Sequence, residues 1–172
     1  MAEKENPMRK ILIEKVTMNM GVGEPGEGLN QAKELTEQLT EAAAVETHAK
    51  DRNPTFKLRK GLAIGVKSTL RGKKAEAFLT KALAAKKKVL KASNFDSRGN
   101  FSFGIKEYID FPGAKYNPKM AMVGFDVCVT LTRRGDRVKK RSQKTSKVGK
   151  AHIITKEEGM EFAKKKFDVS ME

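Results

Sequence analysis

Three glycines, Gly21, Gly23 and Gly26, have the spacing G-x-G-x-x-G between a strand-like and a helix-like stretch. This spacing is typical of a dinucleotide site, where glycines let the backbone approach a pyrophosphate at the start of a helix. The fingerprint also requires a buried parallel strand after the helix. The short polar stretch VETHAK follows instead. A strand-to-helix turn is therefore the favoured interpretation, and a dinucleotide-dependent enzyme is the alternative.

The titratable side chains give little support for metal chemistry or catalysis. His48 and His152 have no cysteine or carboxylate cluster at metal-ligand spacing, so no metal site is predicted. Cys128, the single cysteine, alternates with a strand face and has no candidate catalytic partner, which favours a structural role. Glu107 and Asp126 are isolated acids rather than a catalytic pair. We expect no catalytic residues and no cofactor.

Two segments, residues 11–22 and 62–72, alternate apolar side chains with hydrogen-bond donors. Because successive side chains of a strand point to opposite faces, each segment should bury one face and leave the other open. The polar face offers donors for phosphate, ribose hydroxyls and base edges, so it is the candidate RNA surface. Its members are Lys15, Thr17, Asn19, Lys67, Thr69 and Arg71.

A further alternating segment carries the aromatic residues Phe101 and Phe103. Aromatic side chains on a strand can stack RNA bases. Both share their face with Ile105, however, so packing in the core is the favoured interpretation.

A basic, proline-broken loop precedes the second polar segment and runs from about residue 48 to residue 60. It has too few apolar side chains to bury itself, so we expect it to protrude and to be poorly ordered in isolation. The candidate contact residues in this 50–60 loop are Lys50, Arg52, Asn53, Lys57, Arg59 and Lys60.

A second basic stretch, the 133–150 segment, is almost free of apolar residues. It is predicted to be either a disordered insertion or a basic hairpin that its partner orders. We expect it to contact RNA phosphates with little sequence preference. The candidate residues are Arg133, Arg134, Arg137, Lys139, Lys140, Arg141, Lys144 and Lys147.

The charge of the whole chain points to nucleic acid. The net charge is +15, and residues 48–74 and 133–150 each hold nine bases against one acid, whereas residues 1–47 have a net charge of −4. Concentrated charge of this kind favours a polyanionic partner. A histone-like protein that compacts DNA would also satisfy the composition. A single cysteine, the absence of a signal-like N-terminus and the lack of a long apolar run favour a cytoplasmic protein without membrane contact.

The periodicities together predict an α+β fold with a mostly antiparallel sheet of four to five strands and helices packed on one face. The other face should be open, with protruding basic loops for RNA. We expect a single RNA-binding domain over 1–172 that includes the basic insertion at about 133–150. Strands are predicted at 11–22, 45–49, 62–72, 101–109 and 122–132, a loop at 111–119, and helices at 29–44, 73–90 and about 156–167. Thr155 and Glu158 form a capping-box pattern before the last helix.

Three blocks of this sequence, VTMNMGVGE, FKLRKGLAIGVKSTLRG and DSRGNFSFGIKEYIDFP, occur in that order. Together they closely resemble the ribosomal protein L5 family of the large subunit, over about residues 9–132. The basic insertion and the tail HIITKEEGMEFAKKKF resemble the archaeal and eukaryotic branch of that family.

The resemblance implies a structural role in the ribosome, where the protein binds 5S rRNA and helps attach it in the central protuberance. By position, Asn19, Thr69 and Arg71 match family residues that contact 5S rRNA. The loop within about 48–60 matches the part of the family that reaches P-site tRNA. Large-subunit rRNA and neighbouring ribosomal proteins, including a small-subunit bridge partner, are the other expected partners.

Overall fold

The computed structural model of the chain describes residues 6–114, 116 and 122–172. Residues 115 and 117–119 of the loop predicted at 111–119 therefore lie outside the described residues. The strands are β1 Ile11–Gly21, β2 Val45–His48, β3 Ala63–Leu70, β4 Val89–Leu90, β5 Phe101–Ile105, β6 Phe125–Arg133 and β7 Ser170–Met171. The α-helices are α1 Glu27–Thr40, α2 Gly72–Ala85 and α3 Lys156–Phe167.

Five of the strands form one sheet in the order β2-β3-β1-β6-β5, and every neighbouring pair is antiparallel. Helices α1 and α2 pack against β1 and β3. The prediction of an α+β fold with a mostly antiparallel sheet is confirmed. The short β4 and β7 strands pair in parallel as a second, separate sheet, which the sequence did not indicate.

The core lies between the helices and one face of the large sheet. Val16, Met18 and Met20 of β1 and Val66 and Leu70 of β3 are at most 2% exposed. They form one cluster with the apolar residues of α1, α2 and β6. The alternation of apolar residues therefore identified the covered face correctly, because burial of that face specifies the strand register.

A β-bulge at Glu14 explains why the alternation in β1 begins only at Val16. Ile13 pairs with Leu131, but the next paired residue is Lys15, opposite Thr130. The extra residue moves Ile13 and Val16 onto the same covered face although they are three positions apart. Glu14 is thereby freed from the ladder at the end of the sheet.

Helices α1 and α2 end earlier than predicted. Glu41 takes a left-handed conformation with φ 51° and donates its backbone N–H to the Glu37 carbonyl, which closes α1 at Thr40. Lys87 and Lys88 have φ values of 55° and 56°, so the chain leaves helical geometry after α2 and enters β4. Apolar residues that follow each helix continue its apolar spacing, and for this reason both predicted helices were too long.

The strand predicted at 101–109 is also shorter. A 3₁₀ turn at Tyr108–Asp110 follows β5 and ends the strand alternation of buried and exposed side chains. Tyr108 is fully buried, and Ile109 is 37% exposed instead of facing the core. Phe101 and Phe103 are buried, as their shared face with Ile105 predicted.

Helix α3 begins with the predicted capping box. The Glu158 N–H donates to the Thr155 hydroxyl, and the Thr155 N–H donates to a Glu158 carboxylate oxygen at 3.0 Å. The helix lies close against the turn before β5, since a Cβ on Gly159 would meet the Gly99 carbonyl oxygen at 2.5 Å. Its residues Ala163 and Phe167 join the same core.

The 133–150 segment differs from both expected forms. Its first residue completes β6, and the rest forms short turns that include the 3₁₀ turn Asp136–Lys139. The Ser146 N–H donates to the Val138 carbonyl, and the Arg141 guanidinium donates to the Lys144 carbonyl at 2.8 Å. Lys140 also forms an ion pair with Glu14 of the bulge. These bonds hold the segment in a defined conformation beside the bulge of β1, which its composition did not predict.

Candidate nucleic-acid interface

The uncovered face of the sheet, called here the open face, carries polar side chains in rows that cross several strands. Thr17 lies opposite Thr69 on one side and opposite Cys128 on the other. Asn19 lies opposite Lys67 and Asp126 in the same way. Directly opposed side chains have Cβ atoms about 4.5–5.5 Å apart, so each row forms a continuous strip of polar groups.

The sequence-predicted members of this face are placed as expected. Lys67 and Thr69 are exposed, whereas Thr17 and Asn19 are half-buried between neighbouring strands. Lys15 pairs with Thr130 beyond Thr17. Arg71 follows β3 in an extended conformation, with φ −137° and ψ 159°, and its side chain is exposed at the start of α2. The first five therefore lie on the open face, away from the helices, and Arg71 lies at its edge where α2 begins.

The open face also contains residues that the sequence analysis did not select. Ser102, Asp126, Cys128 and Thr130 extend the rows across β5 and β6. The period-two alternation of these strands could have identified them. Cys128 is exposed on this face. Partial burial of its sulfur, and then the charge of Asp126, raise the pKa of its thiol above the ordinary value.

The 50–60 loop protrudes as a small hairpin. Asn53 and Leu58 exchange backbone hydrogen bonds of 3.1 and 2.9 Å, and the Thr55 N–H donates to the Asn53 side-chain oxygen. These bonds give the loop more internal structure than its composition predicted. Phe56 at the tip is 71% exposed and presents an aromatic ring to solvent.

The cationic residues of the loop surround this tip. Asn53 is half-buried. The five predicted cations are exposed and form no ion pair in the part of the chain that the structure describes. These cations are Lys50, Arg52, Lys57, Arg59 and Lys60.

Arg133 is the exception in the basic 133–150 segment. Its side chain is only 8% exposed, and its guanidinium donates to the Glu158 carboxylate at 2.6 Å. This placement corrects the expectation that Arg133 is an exposed RNA contact, because its side chain instead links β6 to α3. The other seven predicted residues are exposed: Arg134, Arg137, Lys139, Lys140, Arg141, Lys144 and Lys147.

A cleft of about 830 Å³ joins the open face to the basic segment. Lys15 and Arg71 line it from the edge of the sheet, and Lys147 lines it from the 133–150 segment. Arg98 and His152 also line it, from a turn before β5 and from the stretch before α3. No local sequence signal marked Arg98, since it stands alone in the stretch SNFDSRGN.

The glycine spacing at residues 21–26 serves a turn. The N–H groups of Val22 and Gly23 both donate to the Ile64 carbonyl, and Gly23 and Gly26 have φ values of 91° and 136° that favour glycine. The strand after α1 is β2, an edge strand antiparallel to β3, so the βαβ unit of a dinucleotide fold is not formed. Among the described residues, no group of His, Cys, Asp or Glu could hold a metal ion, and no helix is long and apolar enough to cross a membrane.

Comparison with known proteins identifies a family over nearly the whole chain. Residues 6–59 match the family described as ribosomal protein L5, and residues 63–162 match the C-terminus of the same ribosomal family. The chain is 51% identical to the large ribosomal subunit protein uL5 of Methanococcus maripaludis strain C7 over 172 residues, which cover 98% of this chain and 94% of that protein. It is 51% identical to the uL5 protein of Sulfurisphaera tokodaii over 174 residues, which cover 99% of this chain and 98% of that protein.

The chain therefore belongs to the ribosomal protein L5 family, and the archaeal source of these relatives agrees with the resemblance to the archaeal and eukaryotic branch. This is a family of ribosomal proteins and not of enzymes, so the prediction of a non-enzymatic protein is confirmed. The two family matches meet at the base of the 50–60 loop, and strands from both are paired within the one large sheet.

Proposed function

We propose that this protein is a structural constituent of the large ribosomal subunit that binds 5S rRNA through its open face and helps attach it in the central protuberance. The 50–60 loop contacts P-site tRNA. The exposed cations of the 133–150 segment contact large-subunit rRNA. The protein works in the cytoplasm, within the ribosome, beside neighbouring ribosomal proteins that include a small-subunit bridge partner.

The observation that carries this proposal is the polar strip on the open face. Thr69, Thr17 and Cys128 follow one another across three strands, and Lys67, Asn19 and Asp126 form the adjacent row. Small hydroxyl and amide side chains allow close approach to a ribose 2′-hydroxyl, which is the group that distinguishes RNA from DNA. A charged coat for nonspecific binding would not need these uncharged groups.

The 50–60 loop supports a second, separate RNA contact. It lies beyond β2 and β3 at the edge of the sheet, and β2 is the last strand on that side. Its exposed cations suit phosphates, and the Phe56 ring can stack on an unpaired base. A hairpin held by its own hydrogen bonds can present these groups without first being ordered by RNA.

Purified protein and labelled 5S rRNA test the proposal by filter binding against a DNA duplex of equal length. We expect a clear preference for 5S rRNA. The double variant Lys67→Ala/Thr69→Ala should lose most of that preference, and Lys81→Ala, an exposed lysine of α2 on the helix side, should retain it. Equal binding of DNA and RNA by the unaltered protein would instead favour the histone-like alternative.

A further inference from the structure

The cleft beside the open face is strongly cationic once its own ion pairs are considered. Seven of its lining side chains are Lys or Arg, and two are Glu or Asp. Both acids are neutralised within the protein, because Glu14 pairs with Lys140 and Asp136 pairs with Lys139 and Lys140. Burial acts to raise the pKa of Asp136, but hydrogen bonds from the two lysines outweigh it and hold that pKa below its usual value.

Four lining cations then remain without an ion pair to any residue that the structure describes. They come from four separate parts of the chain: β1, the β3–α2 junction, the turn before β5 and the 133–150 segment. The four are Lys15, Arg71, Arg98 and Lys147. Convergence of unpaired cations on one concavity costs mutual repulsion, which a bound polyanion would relieve.

One residue that lines the cleft also has a buried donor without a partner among the described residues. The Arg133 Nε is buried and makes no hydrogen bond to any residue that the structure describes, although the other end of its guanidinium is bonded to Glu158. Thr130, Thr132 and Asn100 add neutral polar groups to the same lining.

We propose that this cleft binds an unpaired stretch of RNA, whose phosphates are held by Lys15, Arg71, Arg98 and Lys147. The proposal rests on the RNA-binding function above and adds a site within it. A concave site lined on several sides suits a single strand, whose splayed bases and phosphates can enter it. A duplex instead presents a wide, shallow minor groove and a major groove too narrow for side chains to read. Arg98 is a binding residue that neither the sequence nor the family comparison assigned.

The test compares two RNA probes: a fully paired duplex, and the same duplex interrupted by a run of unpaired adenosines. Affinity for each is measured over a salt series with the unaltered protein and with Arg98→Ala/Lys147→Ala. Loss of two phosphate contacts to a single strand should reduce the slope of log affinity against log salt by about 1.4. We expect this reduction with the interrupted probe and little change with the paired duplex.

Lys81→Ala/Lys164→Ala is the matched control, because it removes two exposed lysines from α2 and α3. It should leave both slopes near those of the unaltered protein. If Arg98→Ala/Lys147→Ala behaves like this control, or reduces the salt slope equally for both probes, the cleft is not a site for unpaired RNA. Either result leaves 5S rRNA binding by the open face intact, and that binding is scored separately with the Lys67→Ala/Thr69→Ala variant. Failure of the unaltered protein to bind any RNA would overturn both proposals.

Discussion

Asn19 of β1 lies directly opposite Asp126 of β6, so an amide and a carboxylate share the centre of the open face. A Cβ on Gly104, the next residue across the sheet, would lie 3.1 Å from an Asp126 carboxylate oxygen. A carboxylate here repels phosphates but can accept a hydrogen bond from a base amino group. The pair therefore suits recognition of an RNA base rather than attraction of the backbone.

Asp126→Asn should raise affinity for nucleic acid in general and lower the preference for 5S rRNA. Removal of the negative charge favours any polyanion, whereas replacement of one acceptor oxygen by an amide NH₂ donor costs about 1–3 kcal/mol at the recognised base. Competition binding between 5S rRNA and duplex DNA measures both effects. Glu34→Gln makes the same charge change at an exposed position of α1 and should leave the preference unaltered. An unchanged preference in Asp126→Asn would show that the carboxylate reads no base.

The thiol of Cys128 provides a probe of the open face without a substitution. Because burial and Asp126 raise its pKa, the thiol has a smaller thiolate fraction than an ordinary cysteine and should react with iodoacetamide more slowly at the same pH. Alkylation followed by mass spectrometry should show this delay, and Asp126→Asn should shorten it. Bound 5S rRNA should protect the thiol at alkaline pH, and a thiol that reacts equally fast with and without RNA would place the contact elsewhere.

Arg71→Ala should weaken 5S rRNA binding more than Lys67→Ala. An arginine has a fixed fork of donors that can bind a phosphate or guanine edge in bidentate fashion, whereas a lysine supplies a point charge. We expect a loss of about 1–3 kcal/mol for Arg71→Ala and less for Lys67→Ala. Both side chains are exposed, so thermal melts should match that of the unaltered protein. Intact affinity in a normally folded Arg71→Ala variant would remove this residue from the RNA surface.

The triple variant Lys50→Ala/Arg52→Ala/Lys57→Ala should reduce retention of P-site tRNA on ribosomes more than it reduces 5S rRNA binding. The three cations are exposed on the hairpin that connects the edge strand β2 to β3, apart from the polar rows of the open face. Each lost phosphate contact also lowers the salt dependence of tRNA binding. Toeprinting of the P site and filter binding of 5S rRNA give the two readouts. Loss of 5S binding alone would contradict the division between the two surfaces.

Arg133 and Arg134 are neighbours in sequence, but their substitutions should have different effects. Arg133→Met removes the link between β6 and α3, leaving one Glu158 carboxylate oxygen without its ion-pair partner, and should cost about 1–3 kcal/mol of unfolding free energy. Arg134 has an exposed side chain, so Arg134→Met should leave the melting temperature unchanged. Calorimetry of the two variants tests this contrast. Equal melting temperatures would mean that the Arg133–Glu158 ion pair contributes nothing net.

Much of the fold could be predicted from the sequence because period-two alternation reflects a local property of a strand. The apolar phase that contains Met18, Met20 and Val66 identified the covered face, and the opposite phase identified Thr17, Asn19 and Lys67 as open. The capping box at Thr155 was equally readable, since both of its hydrogen bonds join residues three apart. Helix ends were less predictable, because left-handed residues such as Glu41 and Lys88 have no distinctive side chain.

Only the tertiary structure decided which residues meet across the chain. Sequence alone determined that Lys15, Arg71 and Lys147 are cationic, but their placement around one cleft with Arg98 depends on strand order and on the path of the 133–150 segment. The same holds for Arg133, whose sequence neighbourhood is that of an exposed basic stretch. Its position opposite Ile11 in the ladder turns it toward the core, where Glu158 meets it. Pairings between distant segments arise from packing of the whole core, so local periodicity does not predict them.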